Sequence, residues 1–253
     1  MCLLVVAFGV SDDYPLVVAG NRDEFHARPT QSARRWSDHP DIIGGRDLQA
    51  GGSWLALHQK GRFATVTNFR DAQQESGKLR SRGHLITDFL NSDLAPLDFM
   101  QRVDGDAYAG FNLLLSDGDS LAYVSNRGVA ATQLPAGVYG LSNATLDTPW
   151  SKVERSKRGM QALLTERNLN APALFRLLDD RDRGPADEVE KGRLPFTTAH
   201  ALSAPFIVLE DYGTRSSSVV LCDQSGHWSL TERRFDAAGK RQGETTLAFD
   251  AQE

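Results

Sequence analysis

The chain has 253 residues, of which 40% are apolar and 24% charged, and 28 Lys and Arg against 33 Asp and Glu leave a net charge of -5. This is the composition of an ordinary globular protein with material for a core, and its negative sign disfavours nonspecific attraction to nucleic-acid phosphate or anionic lipid. No stretch approaches the ~20 apolar residues of a membrane helix, and two cysteines, Cys2 and Cys222, are too few for a disulfide framework, so a cytoplasmic protein with no nucleic-acid partner and no membrane span is expected.

The residues up to Val10 are apolar without a basic n-region or small-residue cleavage site, and read as a strand rather than a signal peptide. Leu3 to Phe8 and Leu16 to Ala19 flank the turn-forming Ser11-Asp12-Asp13-Tyr14-Pro15, which predicts a hairpin. The glycine pairs Gly44-Gly45 and Gly51-Gly52 predict a loop of constrained geometry. Trp54 to Leu57 and Phe63 to Thr67 form a second hairpin about Lys60-Gly61. From Gly83, Leu85, Ile86, Phe89 and Leu90 fall at helical spacing, continued after Pro96 by Leu97, Met100 and Val103. Strands return at Phe111 to Leu115, Leu121 to Val124 and Val138 to Leu141. Thr148-Pro149 then opens a long helix with Trp150, Val153, Met160, Leu163 and Leu164 as its buried stripe, and Leu174, Leu177 and Leu178 mark a shorter one. Asp179 to Arg193, rich in charge with glycine and proline breakers, predicts an exposed loop or lid. Strand-like runs close the chain at Val219 to Cys222, Trp228 to Leu230 and Thr245 to Phe249. Strand blocks interrupted by helical blocks argue for antiparallel sheets with helices outside them, in one domain over residues 1–253; periodicity does not set the number of layers.

Several residues are suited to chemistry. Removal of Met1 would leave Cys2 with a thiol and an α-amine together, and an amine with a pKa of roughly 7.7–8.0 accepts a thiol proton near neutrality; the competing reading is a small buried hydrophobe at a strand start. In Asn21-Arg22-Asp23-Glu24 the strand period puts Asn21 and Asp23 on one face and Arg22 and Glu24 on the other. Asn68 and Asn143 each end a strand, where an amide either donates to an oxyanion or closes a turn. Arg215 is a possible anion contact. The six histidines show no metal or haem spacing, and dinucleotide, P-loop and G-x-S-x-G signatures are absent.

The combination of Met1-Cys2, Asn21-Arg22-Asp23-Glu24, Gly51-Gly52-Ser53-Trp54-Leu55, Thr67-Asn68, Gly140-Leu141-Ser142-Asn143 and Tyr212-Gly213-Thr214-Arg215-Ser216-Ser217 resembles the NRDE family, the transport and Golgi organisation 2-like proteins, over most of the chain. That family is similar to choloylglycine and penicillin-amide hydrolases. The resemblance implies an α+β fold, a four-layer αββα sandwich of antiparallel sheets, with a cysteine N-terminal nucleophile. It assigns Cys2 as the nucleophile, Asp23 as the aspartate that orients it, and Asn68 with Asn143 as the oxyanion asparagines. Asn21, Arg22, Arg215 and Trp54 are the expected substrate contacts. The hydrolases carry an arginine just before the asparagine-x-aspartate core, whereas here Gly20 stands there and the arginine is Arg22. Two activities follow as expectations: hydrolysis of a small amide or thioester with no required cofactor, or non-catalytic binding of a hydrophobic ligand, haem or an acyl-coenzyme A or lipid.

Overall fold

The computed structural model describes residues 2–70, 80–189 and 194–252. Thirteen strands among these residues form two antiparallel sheets. The first contains β1 (Cys2–Phe8), β2 (Leu16–Phe25), β10 (Gly137–Leu141), β11 (Tyr212–Cys222), β12 (His227–Phe235) and β13 (Arg241–Asp250), in the order β10-β1-β2-β11-β12-β13. The second runs in chain order through β3 (Thr30–Arg35), β4 (Ile42–Asp47), β5 (Leu55–His58), β6 (Arg62–Asn68), β7 (Phe111–Ser116), β8 (Leu121–Ser125) and β9 (Val129–Leu134).

Strand alternation determines the layers, because successive side chains point to opposite faces. Leu4, Val6, Leu16 and Val18 meet Ile43, Leu55, Leu57, Phe63 and Leu114 of the second sheet in an apolar layer between the sheets. The alternate residues Val5, Ala7, Val17 and Ala19 face outward onto Met160 of α3 (Ser151–Thr165) and Leu174, Phe175 and Leu178 of α4 (Ala171–Leu178). On the opposite side, Ala64, Val66, Leu113 and Leu115 pack against Leu85, Ile86 and Phe89 of α1 (Gly83–Leu90) and Met100 of α2 (Pro96–Gln101). The result is the αββα sandwich. A fifth helix, α5 (Phe196–Ala201), lies in the connection to β11.

The hairpins, both helical blocks and the C-terminal strands stand where the sequence puts them, with three differences. Gly44-Gly45 lies inside β4 rather than in a loop: the missing side chains admit Leu55 O and Ala56 beside Gly44 and the Trp54 ring over Gly45, at distances a Cβ would violate. β3, β9 and α5 have no counterpart in the apolar pattern. The long helix begins at Ser151 with Trp150 as its N-cap, so Thr148-Pro149 precedes it. Of the predicted 179–193 loop, residues 190–193 lie outside the described residues; 179–189 is irregular apart from one 3-10 turn.

Candidate active site

Cys2 is the first residue of β1, an inner strand of the first sheet between β10 and β2, and its pairing with Arg22 of β2 puts both side chains on the face toward the second sheet. Arg22 therefore faces the thiol directly, although it stands two residues later than the hydrolases' arginine. It is buried, its guanidinium lies 4.2 Å from the centroid of the Trp54 ring, and Nη1 donates to Thr30 Oγ1 at 3.1 Å. Burial lowers the Arg22 pKa from its usual value. With Trp54, Asn68, Gly52, Arg82 and Gly83 these residues line a cleft of about 120 Å3 at the end of the sandwich. Gly52 closes one wall by lying so near Gly83 that a Cβ would fall 2.4 Å from the Gly83 carbonyl carbon.

Asp23 and Asn21 project to the other face, toward α3 and α4, as the strand period requires. Asp23 is 3% exposed, and its Oδ1 accepts from Thr214 Oγ1 at 2.6 Å. A bulge in β11 between Thr214 and Ser216 sets Thr214 opposite Asp23 while Arg215 drops out of register. Burial pushes the Asp23 carboxyl up to about 6, against the pull of Lys152, Thr214 and Arg22. The backbone N–H of Asp23 donates to the Cys2 thiol; burial nevertheless raises the thiol above its ordinary value, and the Asp23 charge adds to that, while Arg22 opposes it.

Asn143 joins these parts. Its Oδ1 accepts from Cys2 N at 3.2 Å and its Nδ2 donates to Asn68 O at 2.7 Å, while Ser142 Oγ donates to Cys2 O at 2.7 Å. The backbone of Cys2 is thereby held on both sides. Asn68 lies across the cleft from it with its side chain exposed.

Two predicted contacts are spent elsewhere. Asn21 Nδ2 donates to Leu178 O and Pro205 O, both at 2.9 Å, and its Oδ1 accepts from Ser217 Oγ at 2.6 Å, so the amide braces α4 and the approach to β11. Arg215 Nη1 donates to the carbonyls of Phe25 and His26, each at 3.0 Å, and holds the loop after β2.

Lys152, in the first turn of α3, was invisible to the apolar pattern. It is 2% exposed, its Nζ donates to Leu202 O at 3.1 Å, and it feels the charges of both Asp23 and Cys2; burial lowers its pKa while those two groups raise it. The signal available was the i, i+4 series Lys152, Ser156, Met160, all buried on one helix stripe. Among the described residues no group of three or more metal-binding side chains occurs, and no helix is long and apolar enough to cross a membrane.

The two-sheet fold has counterparts among solved structures. Two structures of conjugated bile acid hydrolase from Clostridium perfringens, both variants, share the fold: one with a TM-score of 0.58 at 10% identity, covering 100% of this chain and 94% of the hydrolase, the other 0.54 at 10%, covering 99% and 97%. In sequence, the Transport and Golgi organization protein 2 homologs of Bos taurus and Homo sapiens are 35% and 34% identical, covering 97% and 92% of each chain respectively, and the Drosophila melanogaster protein is 28% identical over 87% of this chain and 86% of its own. The family model for Transport and Golgi organisation 2 matches residues 1–237. The chain belongs to that family, and its fold is that of the N-terminal-nucleophile hydrolases.

Proposed function

We propose that the protein is a cysteine amidohydrolase of the N-terminal-nucleophile type, acting on a small amide or thioester in a reducing, cytoplasmic setting. The observation that carries this is the hold on Cys2: backbone N on Asn143 Oδ1, thiol beside the Asp23 N–H, and Arg22 across the strand pair. With Met1 removed, Cys2 N is an α-amine and takes the thiol proton as sulfur bonds to the substrate carbonyl carbon. The carbonyl oxygen gains the electron pair and accepts from the amides of Asn68 and Asn143, a contribution of about 3 kcal/mol per donor in other enzymes. Collapse expels the amine or thiol leaving group with that proton, and water then hydrolyses the acyl thioester. Asp23 stabilises the ammonium form of the α-amine.

The alternative is a binding protein without turnover, for haem or an acyl-coenzyme A or lipid, and the raised thiol pKa favours it, because a thiol protonated at neutral pH is a poor nucleophile. Among the described residues, Cys2 is the sole one lining either its cleft or the larger cavity beside Lys152 that is of a kind to ligate haem iron.

The test is intact mass and peptide mapping of the natively expressed protein after brief exposure to substoichiometric iodoacetamide near pH 7. The hydrolase reading expects Met1 to be absent and Cys2 to react well ahead of Cys222, whose thiol burial pushes up to about 12. A retained Met1, or an inert Cys2, removes the hydrolase mechanism and leaves ligand binding, measured by haem and acyl-coenzyme A titration.

A further inference from the structure

Between the start of α3, the 179–189 segment and α5 is a cavity of about 260 Å3, larger than the cleft at Cys2. Two cations line it, Lys152 and Arg70, and among the described residues no carboxylate does. The walls are otherwise mainly apolar, from Trp150, Val189 and Leu202. An ammonium has three N–H donors, yet Lys152 makes one hydrogen bond among the described residues, to Leu202 O. The guanidinium of Arg70 makes no hydrogen bond or ion pair among the described residues, while its backbone N–H donates to Asn143 O at 2.7 Å. Lys152 is buried whereas Arg70 is half-buried, and a buried cation with unused donors is costly unless an anion or water meets it.

We propose that this cavity binds an amphipathic monoanion, a carboxylate on a short apolar chain, with the carboxylate between Lys152 and Arg70 and the chain against Trp150, Val189 and Leu202. One anion accepting from both cations satisfies donors that the described residues leave open, and charge-assisted hydrogen bonds are the strong kind. The volume is at the small end for ligand sites, which selects a short chain. The site is separate from the Cys2 cleft and stands whether or not Cys2 turns over a substrate. The two are nonetheless joined: Arg70 is tied to the backbone of Asn143, whose side chain holds Cys2 N, and Lys152 faces Asp23 electrostatically. An anion at Lys152 draws that charge away from Asp23.

The experiment is calorimetric titration of the full-length protein with sodium octanoate, with 1-octanol and octylammonium as neutral and cationic comparators. Octanoate is expected to bind about tenfold or more tightly than either comparator, and Arg70→Gln and Lys152→Met each to weaken it by about tenfold or more. If Lys152→Met does not fold, Arg70→Gln alone decides. Octanol binding as well as octanoate, absence of octanoate binding, or an octanoate affinity unchanged in Arg70→Gln overturns the assignment.

Discussion

Asp23 shows how far one side chain's environment alters the pH response of the fold. Its carboxyl titrates near 3.8 when unfolded and is pushed up to about 6 by burial in the native state. Between those values the native state holds the extra proton, so this residue's contribution is full below about pH 4 and is lost as pH rises through about 6. A displacement of this size corresponds to about 3 kcal/mol. In Asp23→Asn that loss should vanish: the difference in unfolding free energy between pH 4 and pH 7, from urea denaturation, should shift by about 3 kcal/mol relative to the unmodified protein. An identical pH dependence in both would mean that Asp23 is not the titrating group. Cys2, Asp23 and Asn143 were legible in the sequence because each belongs to a short motif at a strand end. Lys152 was not, since a lysine one residue before Val153 reads as the polar face of an amphipathic helix, and its burial arises from residues 184–189 and 199–203 lying against the start of α3.

Elements are positioned here by single polar side chains as well as by apolar layers. Asn21 is the clearest case: placed by sequence as a substrate contact, it instead fixes the end of α4 and the segment before β11 to β2. Asn21→Ala leaves the buried carbonyls of Leu178 and Pro205 and the Ser217 hydroxyl without that partner, and should cost about 2–4 kcal/mol in a chemical denaturation midpoint analysis. A change below about 1 kcal/mol would show that water replaces the amide. The two strands missed from sequence share a cause. β3 and β9 are the two edge strands of the second sheet, and an edge needs no continuous apolar face; Thr30-Gln31-Ser32-Ala33-Arg34-Arg35 is largely polar for that reason. Gly44-Gly45 reads as a loop because glycine usually punctuates, and becomes strand because Trp54 and Ala56 occupy the space that side chains would take.

At the scale of the molecule, the first sheet is assembled from distant pieces of chain. β1 pairs with β10 on one side and β2 on the other, and β2 pairs in turn with β11, about 190 residues later. The N-terminal hairpin is therefore complete only when the C-terminal third has folded onto it, an arrangement that slows folding. A chain ended at residue 205 lacks β11 to β13, removing Thr214 from Asp23 and leaving the outer edge of β2 open. It should lose near-UV circular dichroism and cooperative unfolding, and its Cys2 should alkylate at the rate of a free thiol. Cooperative unfolding of the truncated chain would show that the second sheet and the β1–β2 hairpin suffice. Antiparallel sheets with external helices were legible from block order, since alternation and helical spacing are local, while their number followed from the family resemblance. Strand order was not, because pairing across 190 residues leaves no mark in either segment alone.

The hydrogen bond from Cys2 N to Asn143 Oδ1 also bears on how the protein should be produced. An affinity tag or linker fused ahead of Cys2 and not cleaved off leaves a secondary amide at this atom, with one N–H and no basicity, where the proposed chemistry uses a primary amine. Such a preparation folds and holds its cysteine in place, yet lacks the base. A negative result with N-terminally tagged material thus reports on the cloning strategy. A fusion following β13, the outermost strand of the first sheet, leaves the amine intact.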